Sequence, residues 1–250
     1  MTASAGNHGQ GVALVGKLVS APVIVFASNH AVPSKVEAMQ KMGAQVRFVE
    51  GGYELAEATA KQFAGDEKQT WVSAYNDGQV IAGQGTIGIE LQADLPLDDK
   101  VTVAVPVGGG GLLAGIGAAL ERQPLRPRLV GVNAEASAFM NALYRGGSQE
   151  GVVDLPTLAD GLSGALETGS ITIPLVRKFA DDIVTVSEEE IGWAIAFAWQ
   201  KYRQVIEGSG AVGLAAVLAG KVKPPAVVVI TGGNIQPEVH AELCRKYALP

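Results

Sequence analysis

The chain has a single cysteine, Cys244, so no disulfide can close within it, and a reducing, cytoplasmic setting is expected. Its three histidines, His8, His30 and His240, form no zinc-ligand spacing of the HExxH or HxxxH kind. Basic residues are the minority, 19 Lys+Arg against 25 Asp+Glu, and nowhere form a dense run. That excludes an electrostatic nucleic-acid binder, which needs a basic stripe along the phosphates. No apolar run approaches the ~18 residues of a membrane-spanning helix. The opening MTASAGNHGQG has neither the basic nor the apolar region of a secretory signal. There is also no Ser-His-Asp arrangement and no paired carboxylates.

Glycine is what the chain has in excess, 32 of 250 residues against a usual share of roughly 7%. Hydrophobic residues make up 48%, enough for one large or two modest domains with real cores. Strand-length apolar runs alternate with helix-period stretches, the pattern of an α/β protein with a mostly parallel sheet. PVIVFA (22–27), AQVRFV (44–49) and TWVSA (70–74) read as strands separated by helices over 9–19, 34–42 and 53–65. A second block has strands VTVAVPV (101–107), RLVGVN (128–133), DIVTV (182–186) and AVVVI (226–230), with a helix over 187–202. Ser187 and Glu190 open that helix at capping-box spacing. The continuous apolar character of VTVAVPV and AVVVI predicts strands covered on both faces. In open sheets of this kind, ligands sit at the carboxyl ends of the strands.

Three glycine-bearing segments occupy such positions. GGGG, residues 108–111, follows VTVAVPV and opens the helix LLAGIGAALE, where clustered N–H groups and the helix dipole suit a phosphate. A plain glycine turn explains it too, and Gly109, Gly111 and Ala114 with Glu135 one strand later also satisfy a dinucleotide fingerprint. SAGNHGQG, residues 4–11, opens another helix and suits a carboxylate, or is simply capped by Ser4 or Asn7. TGGN, residues 231–234, presents a hydroxyl at a strand end, although a turn requiring positive φ accounts for its glycines equally well.

Together, SAGNHGQG, PVGGGGLLAGI and TGGN resemble the fold-type II enzymes that use pyridoxal 5'-phosphate, in the branch of the threonine/serine dehydratases and serine racemases. The segments NDGQVIAGQGTIGIEL (76–91), TLADGLS (157–163), DDIVTVSEEEI (181–191) and IEGSGAVGLAA (206–216) extend the resemblance over essentially the whole chain. It implies two open, twisted parallel-sheet domains of the tryptophan-synthase-β-like kind, a small one over 1–77 and a large one over 78–250. It also implies that Gly108, Gly109, Gly110 and Gly111 hold the cofactor phosphate. Ser4, Ala5, Gly6, Asn7 and His8 would bind the substrate carboxylate, with Asn7 also reaching the cofactor's phenolic oxygen. Thr231 would meet the pyridine nitrogen, and Glu207 would lie near the ring edge.

The implied reaction is β-elimination from L-threonine or L-serine to a 2-oxo acid and ammonia. A serine or hydroxyaspartate racemase/dehydratase stands beside it within the branch, and a non-catalytic cofactor-binding or dinucleotide-binding domain outside it. Racemases of this branch carry a second serine directly after the first; Ala5 holds that place, so dehydration without efficient racemisation is expected. The family's Schiff-base lysine lies in a Ser-x-Lys-x-Arg-Gly-Ala-like motif upstream of SAGNH, and none of the eleven lysines has that context. Lys17, Lys35, Lys41 and Lys61 read as surface residues of amphipathic helices. The expectation is a chain truncated at its N-terminus and inactive as it stands, with the larger domain incomplete and apolar faces and strand edges uncovered. A homo-oligomer is expected of the full-length form. A racemase-like cation site would pair Glu135 with an Asp six residues on; Asn141 stands there, which argues against a bound metal. The chain ends soon after TGGN, so no amino-acid-sensing domain is expected.

Overall fold

The structure is a computed structural model that describes residues 1–4 and 6–248. The chain divides into two units, Met1–Val80 and Ile81–Pro250.

The first unit contains β1 (Thr2–Ala3), α1 (Asn7–Leu18), β2 (Ile24–Ser28), α2 (Pro33–Lys41), β3 (Gln45–Val49) and α3 (Tyr53–Asp66). The strands form a parallel sheet in the order β1-β2-β3, with Val25 level with Thr2 on one side and Val46 on the other. Successive strand residues face opposite sides. Val25 accordingly packs with Ala13, Val36, Met39 and Ala44 under α1 and α2, whereas Phe26 packs with Ala3 and Ala60 under α3. Small residues set these distances: α3 buries Ala56, Ala60 and Ala64 at four-residue spacing, and α1 buries Gly9, Ala13 and Gly16.

The second unit begins within α4 (Gly78–Asp94) and continues through β4 (Thr102–Pro106), α5 (Gly111–Leu120), β5 (Arg128–Ala134), α6 (Phe139–Gly146), α7 (Thr172–Phe179), β6 (Asp182–Val186), α8 (Glu188–Tyr202), α9 (Gly208–Leu218), β7 (Ala226–Val228) and α10 (Pro237–Lys246). Its four strands run parallel in the order β6-β5-β4-β7. Central β4 is covered on both faces, with Val103, Ala104 and Val105 wholly buried. The apolar runs of β4 and β5 meet α9, whose Ala211, Val212, Ala215 and Ala216 join Ala104, Val130 and Val132 in the main core. The expected capping box forms: Glu190 N–H donates to Ser187 Oγ and Ser187 N–H to Glu190 Oε2, at 3.3 and 2.8 Å.

Two expected strands need correction. TWVSA forms no strand: Val72 N–H donates to the Met1 carbonyl at 2.9 Å and the Val72 carbonyl accepts from Thr2 Oγ1 at 2.8 Å. The Met1 amino group also donates to the Thr70 carbonyl at 2.7 Å, but two main-chain bonds to a single residue do not make a ladder, and the segment turns away through residues 74–76. AVVVI shortens to a half-buried Ala226–Val228, with Ile230 exposed; among the described residues β7 stands last in its sheet and pairs with β4.

α4 and α5 meet backbone to backbone. A Cβ added at Gly115 would collide with the Ile81 carbonyl and lie 2.7 Å from Gly85 N, whereas Gly83 faces open space. Gly115→Ala is therefore expected to lower the unfolding free energy by about 1–3 kcal/mol. Gly83→Ala should raise it by about 0.5–1 kcal/mol through helix propensity. Equal effects in urea unfolding would contradict this packing.

Candidate functional site

The first candidate group lies in the second unit, at the carboxyl end of its sheet. β4 and β7 are hydrogen-bonded neighbours with Ala104 level with Val228, and Val229 N–H still donates to the Ala104 carbonyl at 3.0 Å. Continuing that register places Thr231 beside Val107, so the segments 108–111 and 231–233 leave the sheet side by side. Gly110 caps α5 in the left-handed region at φ 87°, which side-chain-bearing residues rarely adopt. A Cβ there would also lie 2.7 Å from Met140 and 2.8 Å from Val176. Gly108 lies under the backbone of Leu162, with Leu162 Cα 2.8 Å from a Cβ placed on it. The first N–H groups of α5 have no partners within their own helix, and the helix dipole concentrates positive potential there. This loop can accept an anion on main-chain donors alone.

The TGGN turn is held against the start of α9. Glu207 N–H donates to the Gly232 carbonyl at 3.0 Å, a Cβ on Gly210 would lie 2.9 Å from that carbonyl, and one on Gly233 2.5 Å from the Val205 carbonyl. Close approach of backbones explains Gly210 and Gly233, and none of Gly210, Gly232 and Gly233 has positive φ. Thr231 is exposed, and Glu207 is buried as the N-cap residue of α9. Asn133 is a functional candidate that sequence reasoning missed. Buried at the end of β5, it donates from Nδ2 to the Val107 carbonyl at 2.7 Å and accepts from Asn141 N–H at 2.9 Å. It thereby braces the residue before the glycine loop. A polar residue closing an apolar strand was the available signal.

Glu135 follows β5 with its side chain exposed, opening a short 3-10 turn. Among the described residues, no three His, Cys, Asp or Glu side chains gather to hold a metal. On α10, Cys244 Sγ lies 3.7 Å from His240 Nε2, but burial pushes the thiol's pKa up, the opposite of an activated nucleophile.

The second group lies in the first unit, around the start of α1. Ala5 falls outside the described residues. Ser4 is buried, its N–H donating to the Phe26 carbonyl at 2.9 Å while its Oγ accepts from Gly6 N–H at 3.1 Å. The Gly6 amide is therefore engaged locally. Gly6 is the N-cap of α1, and no side chain caps that helix, so neither Ser4 nor Asn7 serves as the cap. Asn7 is exposed. The His8 ring turns inward, with Nε2 2.9 Å from Thr2 Oγ1 and 3.3 Å from the Val72 carbonyl. Because Thr2 gives its hydroxyl proton to Val72, the network assigns the ring proton to Nε2. Gly9 keeps this arrangement compact, since a Cβ there would lie 2.6 Å from Met39 Sδ and 3.1 Å from Ser4 Cβ.

Parallel-sheet units with main-chain anion sites at strand and helix ends define an α/β ligand-binding protein. The description narrows sharply on comparison: the model of the pyridoxal-phosphate dependent enzyme family matches residues 1–232, and the chain belongs to that family. It is 42% identical over 237 residues to the L-threonine ammonia-lyase of Thermotoga maritima, covering 94% of this chain and 58% of that protein. Among solved structures, it is similar to the processed form of threonine deaminase isoform 2 from Solanum lycopersicum, with TM-score 0.88, 28% identity and coverage of 99% of this chain and 73% of that one. It is also similar to maize serine racemase, with TM-score 0.84, 28% identity and coverage of 98% and 76%. The chain thus spans little more than half the length of the Thermotoga relative.

The residues present fit the cofactor of that family. A phosphate needs several short donors and no intruding side chain, and a loop whose Gly108 and Gly110 leave no room for a Cβ at the head of α5 provides both.

Burial holds the His8 pKa below the ordinary imidazole value, against the opposing hydrogen bond to Val72. A depressed folded value means that the unfolded chain binds the proton first, so stability is lost as pH falls below about 6.5. His8→Gln should flatten that loss in urea midpoints measured between about pH 7.5 and pH 5, because glutamine does not titrate in this range. An unchanged slope would show that His8 titrates alike in both states.

Proposed function

We propose that this chain carries the cofactor- and carboxylate-binding parts of a pyridoxal-phosphate dependent L-threonine/L-serine ammonia-lyase, which gives a 2-oxo acid and ammonia by β-elimination. The supporting comparison is the 42% identity to a protein named L-threonine ammonia-lyase. The observation that carries the reading is the side-chain-free loop with Gly110 in the left-handed region at the head of α5. We read the two units as the small and large domains of such an enzyme.

When bound, the cofactor supplies an electron-withdrawing ring conjugated to the substrate amine, which acidifies the Cα–H bond. The rest is work for the chain's own residues. Main-chain N–H groups of Gly108, Gly109, Gly110 and Gly111 bind the phosphate. The Thr231 hydroxyl would serve the pyridine nitrogen as a neutral partner, one that does not force that nitrogen to stay protonated. Glu207, held at the N-cap of α9, would stand near the ring edge. The Ser4 hydroxyl, the Asn7 amide and the main-chain N–H groups that open α1 receive the substrate carboxylate. Because the His8 ring is committed to Thr2 and Val72, only its backbone N–H serves the substrate. Position 5 is alanine, which has no proton to deliver, where racemases of the branch that the sequence resembles carry a second serine, so slow racemisation is expected.

Saturable binding of pyridoxal 5'-phosphate, read by protein fluorescence and thermal stabilisation, tests the first half. Gly110→Ala should weaken it roughly tenfold to hundredfold, the loss of one or two hydrogen bonds to a charged group, with a smaller effect on phosphate-free pyridoxal. In the protein that contains this chain, 2-oxobutanoate should form from L-threonine and pyruvate from L-serine, both far faster than D-serine appears. Efficient production of D-serine would refute the lyase assignment.

A further inference from the structure

The segment 157–163 is wedged between two glycines. Its short 3-10 turn, Asp160–Leu162, puts the Leu162 backbone against Gly108, where a Cβ would lie 2.8 Å from Leu162 Cα and 2.9 Å from its carbonyl oxygen. At the other side, a Cβ on Gly208 would collide with the Leu158 carbonyl and lie 2.9 Å from Ala159 N. The segment therefore touches the phosphate loop at one end and the first turn of α9, next to Glu207, at the other. Its far end is fastened by Gly161 N–H donating to Ser209 Oγ at 3.0 Å and Gly164 N–H to Ser137 Oγ at 3.1 Å.

Its near end is held by one side chain. Glu188 Oε1 accepts from the Thr157 hydroxyl at 2.5 Å, and Oε2 accepts from Leu158 N–H at 2.6 Å. Thr157 Oγ1 in turn accepts from Ala159 N–H at 3.0 Å. Both carboxylate oxygens and the hydroxyl are thus used in one relay, the proton of Thr157 going to Glu188 and a lone pair to Ala159. Glu188 is the first residue of α8, where the helix dipole favours its negative charge, and charge-assisted bonds of this kind are roughly twice as strong as neutral ones.

We propose that Glu188, acting through Thr157, is a positioning residue for the cofactor's phosphate loop: it fixes the 157–163 segment, whose backbone sets the position of Gly108. This rests on the cofactor reading above and extends it to a carboxylate that does not touch the ligand.

The test compares wild type with Glu188→Gln, Thr157→Val, Thr157→Ser and the Gln/Val double variant by hydrogen–deuterium exchange and by titration with pyridoxal 5'-phosphate. Expected are faster exchange confined to residues 157–163 and 108–111 in Glu188→Gln and Thr157→Val, and half-saturation at about tenfold higher concentration, the effect of one charge-assisted bond. Thr157→Ser, which keeps the hydroxyl, should restore both readouts. The double variant should lose no more than the worse single one, since both break one relay. Three results overturn the proposal: unchanged exchange and binding in the variants, a loosened segment with unchanged binding, or faster exchange across the whole unit with a lowered unfolding midpoint. A wild type without saturable binding overturns the cofactor reading and this inference with it. Failure of the positioning claim alone looks different: wild type and variants bind equally well.

Discussion

The second unit depends on main-chain atoms approaching one another where side chains would keep them apart. Gly115 meets α4, Gly108 meets Leu162, Gly208 meets Leu158 and Gly210 meets Gly232, and in each case a methyl group would overlap backbone. These contacts sit on a parallel sheet whose strand β4 is buried from Val103 to Pro106, so the supporting layer does not give way. A folded chain pays backbone entropy for each glycine. The return is a cluster of peptide dipoles at the carboxyl end of β4 and β7, packed more tightly than any side-chain-lined surface allows.

The same constraint separates the roles of glycines that look alike. Gly110 is needed for a left-handed turn at the head of α5, Gly108 for a neighbour's backbone, and Gly210 and Gly233 for the turn after β7. In the first unit, the corresponding group is built differently. Ser4 and Gly6 bond each other, His8 bonds inward, and at the start of α1 the bare backbone of Gly9 makes room for the Met39 side chain. One group is held by backbone contacts and a carboxylate relay, the other by a half-buried imidazole network that weakens as it is protonated.

Much of this was legible in the residues. Alternating apolar runs and helical periods located six of the seven strands, and the Ser187–Glu190 box marked the start of α8 to the residue. The glycine runs after β4 and β7 marked the carboxyl end of the sheet. Other features depend on partners far along the chain. Val72 has strand-like neighbours in sequence, but only Met1 offers it a backbone bond. β7 has the composition of an interior strand, and its place at the end of the order among the described strands follows from the topology rather than from its residues. The two-residue β1 is too short to carry a pattern and exists because β2 pairs with it. Glu188 reads locally as one of three acidic residues in a helix's first turn; its bonds to a hydroxyl and an amide about 30 residues earlier follow from the packing of α8 beside the 157–163 segment.

The wedge between Gly108 and Gly208 has an evolutionary aspect. Because its contacts with those glycines are made by the main chain of Leu158, Ala159 and Leu162, the demand on the Leu158 and Leu162 side chains comes from elsewhere, from the main core against which both pack. Apolar substitutions there that keep the core filled can leave the spacing of the loop as it is. The glycines themselves have no such latitude, since every coding change at Gly108 or Gly208 adds atoms where there is no room. A lineage carrying this fold can thus trade one apolar side chain for another along the segment and is held in place at the two positions it rests on.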